Sequence, residues 1–215
     1  MIPAVKICGI TSLTDAEAAI ASGASYIGLI FADKSPRRIS LDAAKEIARA
    51  LRGRVKLVTV FQDSPVDLLV DHVSYLEPDL VQYHGSEPAE LIATLKLPAI
   101  KVFQLDATFN WGMVRPYRKV VDKILVDRPK KGPCSDWLSM ALDLVMTAPD
   151  DLPAFFFAGG LSPDNVGTVV GRLNGTCLHG LDVASGVERE PGQKDPAKIR
   201  DFCQAVREAA KACVR

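Results

Sequence analysis

The residues of this chain best suited to chemistry stand just after short apolar runs. Cys8 follows Val5-Lys6-Ile7, and Asp127 follows a second run at residues 123–126. A thiol at a strand end serves as a general base where a positive environment lowers its pKa from about 8.5. A carboxyl across from it serves as an acid where desolvation raises its own pKa. The same two side chains also read as a buried core cysteine and as an aspartate capping the next turn. In Ser35-Pro36-Arg37-Arg38, either arginine offers a planar fork for a carboxylate, or is simply solvated. Gln82 and Asp182 end further runs and are candidate substrate contacts. His84 joins them, although a hydrogen-bonded structural histidine fits it too. Gly159-Gly160 and Ser185-Gly186 read together as a phosphate site. Glycine permits close backbone approach, and N–H groups at a loop or helix start point at an anion. The plainer reading makes Gly159-Gly160 a turn, with Ser162-Pro163 starting a helix.

These residues need a scaffold that gathers them. Apolar, β-branched or aromatic runs occur at residues 4–7, 26–31, 56–61, 80–82, 99–103, 123–126, 154–158 and 180–183. They are continuous rather than alternating, as parallel strands covered on both faces require. Helix-like stretches lie between them. Thr14 is placed to cap residues 15–22 with Glu17 completing a capping box; Ser40 is placed to cap 41–51. Asp195-Pro196 opens a last helix over 197–212 with proline in its favoured first turn. Eight such units predict a single α/β domain over residues 1–215, a (β/α)8 TIM barrel of eight parallel strands near the small end of that fold's range. A doubly wound open sheet is the alternative. In a barrel the strand ends share one mouth, and the loops after the seventh and eighth strands are where barrels commonly bind phosphate.

Composition narrows the partners. Lys and Arg total 26 and Asp and Glu total 26, and this balance disfavours binding to a nucleic-acid backbone. A small anionic substrate needs only one local positive site. Five cysteines without a Cys-x-x-Cys argue against a disulfide framework or zinc knuckle, and three scattered histidines against a metal site. No signal-peptide pattern and no bilayer-length apolar stretch is visible. The expectation is a reduced, cytoplasmic protein that works free-standing and away from membranes.

Taken in order, several segments resemble those of phosphoribosylanthranilate isomerases, the tryptophan-pathway family. They are Val5-Lys6-Ile7-Cys8-Gly9-Ile10-Thr11, Gly28-Leu29-Ile30-Phe31 with Ser35-Pro36-Arg37, and Val81-Gln82-Tyr83-His84-Gly85. Ala158-Gly159-Gly160-Leu161-Ser162-Pro163-Asp164-Asn165-Val166 and the stretch from Gly180 through Glu188 to Asp195 complete the set. The resemblance implies a cofactor-free, metal-free Amadori rearrangement of N-(5-phosphoribosyl)anthranilate to a 1-(carboxyphenylamino)-1-deoxyribulose 5-phosphate. It implies Asp127 as general acid, Cys8 as general base, and Arg37 as the holder of the anthranilate carboxylate. Gln82, His84 and Asp182 become substrate-binding, and amides around Gly159, Gly160, Ser185 and Gly186 hold the phosphate. Association with other tryptophan-pathway enzymes is a further implication.

One segment departs from that pattern. After the acid, the family usually carries a longer glycine-rich stretch ending in phenylalanine–aspartate–tryptophan. Here Arg128-Pro129-Lys130-Lys131-Gly132-Pro133-Cys134-Ser135-Asp136-Trp137 is shorter, lacks the double glycine and has Ser135 in place of the aromatic. A loop here would help cover the substrate, so affinity and closure are the properties exposed to the change. Lys130 and Lys131 either attract phosphate or form a solvated pair. Two rival readings remain. The histidine-pathway sugar isomerases typically carry an aspartate as the strand-1 base and two similar phosphate-binding halves, which Cys8 and the lone Gly-Gly loop oppose. A non-catalytic phosphate-binding relative leaves Cys8, Arg37 and Asp127 together without a reason.

Overall fold

The computed structural model of the protein describes residues 2–128 and 137–213. Its strands and helices alternate along the chain. In order they are β1 (Ala4–Cys8), α1 (Leu13–Ser22), β2 (Tyr26–Ile30), α2 (Leu41–Leu51), β3 (Lys56–Phe61), α3 (Val66–Leu76), β4 (Leu80–Tyr83) and α4 (Ala89–Leu95). Then come β5 (Ala99–Gln104), a 3-10 segment (Trp111–Tyr117), β6 (Lys123–Asp127), α5 (Trp137–Met146), β7 (Phe155–Phe157), α6 (Val166–Arg172) and β8 (Leu178–Val183). A small antiparallel hairpin, β9 (Glu188–Glu190) and β10 (Gln193–Lys194), precedes α7 (Pro196–Ala212).

β1 through β8 pair in parallel with their neighbours in sequence, and β8 returns to β1. The sheet is therefore a closed barrel, not an open doubly wound sheet. Each of the eight runs expected from the sequence falls on a strand. The cause of the continuous apolar pattern is visible in β1. Val5 and Ile7 pack outward under the helices, while Cys8 joins Tyr26, Val58, Val60, Leu80, Ile100, Val102, Leu125 and Phe156 inside. Along β1, β4, β6 and β8 the inward positions run from Ala4, Leu80, Leu125 and Gly180 towards Cys8, Gln82, Asp127 and Asp182. Alternation along a strand thus sets an apolar floor beneath a polar mouth.

Helix starts differ from the sequence readings at α1 and at α6. α1 is capped by Ser12, whose Oγ accepts from Asp15 N at 3.1 Å, and Thr14 is already helical. Glu17 makes no capping box and instead pairs with Arg54 across to the end of α2. Ser40 caps α2 as expected, and Asp195 caps α7 with Pro196 in its first turn. Ser162-Pro163 remains in the loop, since α6 starts only at Val166. Among the described residues no helix is long and apolar enough to cross a membrane.

Candidate active site

The C-terminal strand ends open into a cavity of about 620 Å3. Cys8, Arg37, Gln82, His84, Asp127, Gly159, Gly160, Asp182 and Ser185 all line it. Gly186 is not among the lining residues and packs behind them, as described below. Arg38, the other candidate fork, is mostly exposed and pairs with Asp33 at 3.3 Å.

Asp127 ends β6 facing the cavity. Its Oδ1 accepts from Arg128 N at 2.7 Å, and its Oδ2 lies 3.6 Å from His84 Nε2. Burial pushes the carboxyl up to about 6, with Asp182 adding to the rise and the Arg128 amide and Lys6 opposing it. A carboxyl in this environment keeps a protonated fraction at neutral pH that an exposed one lacks. The His84 ring is steadied from behind, with Gln82 Nε2 3.3 Å from His84 Nδ1. Gln82 Oε1 is buried and, among the described residues, has no hydrogen-bond partner.

Cys8 ends β1 on the opposite wall. Two residues earlier, Lys6 is fully buried on the same inner face, and its Nζ donates to Asp182 Oδ1 at 2.8 Å. Burial pushes the Cys8 thiol up, and the Lys6 ammonium opposes that rise without cancelling it. The lowered thiol that a strand-end base calls for is therefore not supplied by the protein's own groups: burial outweighs the cations around it. Charge brought by a substrate would change that balance.

Arg37 reaches the cavity from the β2–α2 loop. Its stem lies over the exit of β1, where Gly9 has φ +74 and an added Cβ would stand 2.6 Å from Arg37 Cδ. The guanidinium is gripped by Glu188 through Nε at 2.8 Å and Nη2 at 2.7 Å. Glu188 Oε1 also accepts from Lys194 Nζ at 2.8 Å and Gly192 N at 3.2 Å. Burial resists its ionisation, yet Arg37 and Lys194 hold its pKa below the usual range. The β9–β10 hairpin thus carries a buried clamp that orients the arginine and leaves Nη1 of its fork uncommitted to Glu188.

The loops after β7 and β8 complete the mouth. Gly159 and Gly160 adopt φ +93 and +72, and a Cβ at Gly159 would stand 2.5 Å from Arg128 N and 2.9 Å from Asp127 Oδ1. Asn165 ties this loop together, accepting from Ser162 N and donating to Gly160 O, both at 2.9 Å. Gly186 lies against it from the β8 side. A Cβ there would meet Leu161 O at 1.8 Å, so this glycine lets the two loops touch.

A barrel, a cysteine facing an aspartate and paired glycine loops could still belong to several sugar-phosphate enzymes. The family model for N-(5'-phosphoribosyl)anthranilate (PRA) isomerase matches residues 5–205. An N-(5'-phosphoribosyl)anthranilate isomerase of Rhodopseudomonas palustris is 38% identical over 210 residues, covering 94% of this chain and 95% of that one. This chain belongs to the phosphoribosylanthranilate isomerase family. Among solved structures, the phosphoribosylanthranilate isomerase of Thermotoga maritima superposes with a TM-score of 0.83 at 32% identity, over 96% of this chain and 99% of that one. A phosphoribosylanthranilate isomerase in complex with reduced 1-(o-carboxyphenylamino)-1-deoxyribulose 5-phosphate matches with a TM-score of 0.81 at 33% identity, over 96% and 99%.

Within this isomerase-family barrel, sequence reasoning gave no part to Lys6, Glu188 or Lys194. Lys6 had a usable signal, a lysine inside an apolar run at the same strand parity as Cys8. The Arg37–Glu188 pair had none, because its partners are 151 residues apart. A second lysine in an apolar run, Lys101, faces outward and is tied to Glu87 at 3.0 Å and Gly85 O at 2.5 Å. Glu87 also accepts from Asp63 N and Gly85 N at 2.8 and 3.0 Å, so this buried pair fixes the loop that carries His84. Lys130, Lys131 and the rest of the shortened segment at 129–136 lie outside the described residues.

Proposed function

We propose that residues 1–215 form one catalytic domain that performs the Amadori rearrangement of N-(5-phosphoribosyl)anthranilate to 1-(2-carboxyphenylamino)-1-deoxyribulose 5-phosphate. The phosphate sits against backbone amides of the loops bearing Gly159, Gly160, Ser185 and Gly186. The anthranilate carboxylate meets the Nη1 side of Arg37, and Gln82, His84 and Asp182 contact the sugar. Protonated Asp127 gives its proton to the furanose ring oxygen. The bond from that oxygen to C1 breaks, and the nitrogen lone pair forms the C1=N iminium. Ionised Cys8 then takes the C2 proton, and the C2–H electrons make the C1=C2 bond of an enolamine as the iminium electrons return to nitrogen. Loss of the enol proton with protonation at C1 yields the ketone.

The observation that carries this reading is the single cavity joining Cys8 and Asp127 to the paired glycine loops. The raised carboxyl of Asp127 supports its place as acid, since a carboxyl near 6 holds a protonated fraction at pH 7 roughly a hundredfold above that of an unshifted aspartate. The iminium formed by ring opening supplies positive charge beside Cys8 at the moment the thiolate is needed. The same reading places the enzyme in the cytoplasm, alongside or associated with other tryptophan-pathway enzymes.

The test is to generate phosphoribosylanthranilate in place and follow its fluorescence after adding the purified protein. Rapid loss proportional to protein concentration is expected. A folded protein that binds phosphate yet leaves the signal unchanged would overturn the activity.

A further inference from the structure

The reaction as written leaves Lys6 unused, although it is buried beside two residues that line the cavity, Cys8 and Asp182. It is fully buried, two residues before Cys8 on the inner face of β1. Its partner Asp182 is its direct register neighbour on β8. A buried ion pair is a poor way to fill a barrel, since apolar side chains of similar size do so at least as well. Its position suggests another use. Gly28 on β2 pairs with Cys8, and a Cβ there would stand 2.8 Å from Cys8 Sγ and 3.2 Å from Lys6 Nζ. The bare backbone at Gly28 therefore keeps open the space where thiol and ammonium converge.

We propose that Lys6 is a positioning residue for the rearrangement: anchored by Asp182, its ammonium stands beneath Cys8 and stabilises the thiolate that takes the C2 proton. This rests on Cys8 being the base. Lys6 keeps its proton throughout; only sulfur gains one, from C2. Other charges face the sulfur from neighbouring elements. Arg37 from the β2–α2 loop and Lys194 from β10 share the Glu188 clamp, Asp182 lies on β8, and Asp127 stands on β6. Among these cations Lys6 acts on Cys8 most strongly, while Asp182 opposes it. A Lys6–Asp182 pair whose charges do not act on the sulfur would leave the ionisation of Cys8 indifferent to which partner is lost. A thiolate counterion predicts opposite shifts.

The experiment measures alkylation of Cys8 by iodoacetamide as a function of pH, read by mass spectrometry of the Cys8 peptide. The midpoint is compared rather than the rate, because altered access changes the rate alone. Asp182→Asn, which leaves the ammonium uncompensated, should lower the midpoint. Lys6→Met/Asp182→Asn, which buries no lone charge and so protects folding, should raise it above that of Asp182→Asn by at least about one pH unit, a tenfold loss of thiolate at neutral pH. Equal midpoints in these two variants would overturn the proposal. Turnover by Cys8→Ala is run in parallel. Full activity there would remove the base reading itself, an outcome distinct from unchanged midpoints.

Discussion

Replacing Asp127 by asparagine should stabilise the protein under the conditions where it abolishes the reaction. In the folded chain burial lifts this carboxyl from 3.8 to about 6. A raised carboxyl favours the native state only when protonated. Its native environment therefore costs nothing below pH 3.8, and the cost grows until it is complete above about pH 6. The distance between those two values corresponds to about 3 kcal/mol at pH 8, falling below about 1 kcal/mol at pH 4. Asparagine removes the charge and keeps an Oδ1 for the Arg128 amide, now bonded at 2.7 Å. Urea unfolding at the two pH values, followed by circular dichroism, should show Asp127→Asn about 2–3 kcal/mol more stable than wild type at pH 8 and nearly equal at pH 4. An asparagine variant no more stable at pH 8 would mean that the carboxyl is not destabilised by its site. The argument for a protonated acid at neutral pH would then fail.

Three further outcomes follow from the same geometry. Glu188→Gln leaves Arg37 and Lys194 without their shared anion, so thermal or chemical unfolding should reveal a loss of about 3 kcal/mol. Steady-state kinetics should show KM raised roughly tenfold or more with a smaller change in kcat, because the fork proposed to hold the substrate carboxylate is no longer oriented. Gly186→Ala puts a Cβ 1.8 Å from Leu161 O and must part the β7 and β8 loops. Competition by inorganic phosphate should weaken about tenfold, while Cys8 alkylation is unchanged. Grafting a longer glycine-rich loop between Arg128 and Trp137 should lower KM more than it alters kcat; an unchanged KM would dismiss the shortened segment as a cause of weak closure.

What could be read from the sequence was whatever depends on neighbours along the chain. Each strand was visible because barrel strands are covered on both faces and so become continuous apolar runs, as in Lys56–Phe61. Cys8, Gln82, Asp127 and Asp182 were legible as strand-end residues, and the cavity brings them together. The cap of α1 was misplaced by two residues because Ser12 and Thr14 are both good caps, and only the backbone decides which N–H is left to satisfy. After β5 the chain makes a 3-10 segment containing Pro116, where local propensity does not support an α-helix. The pairings of the buried ions were not legible, although Lys6 by itself stands out as a lysine inside an apolar run. Lys6 meets Asp182 across 176 positions, and Arg37 meets Glu188 across 151. Such contacts follow from barrel closure and from the hairpin after β8, neither of which leaves a local pattern.

The measurement that bears most directly on the central claim is phosphoribosylanthranilate turnover by wild type beside Cys8→Ala and Asp127→Asn, each shown to be folded. If Cys8 is the base and Asp127 the acid, as proposed, wild type turns over and each variant loses at least about a hundredfold in kcat. It should do so while still binding the reduced product analogue. Near-wild-type turnover by either variant would contradict the division of labour between Cys8 and Asp127.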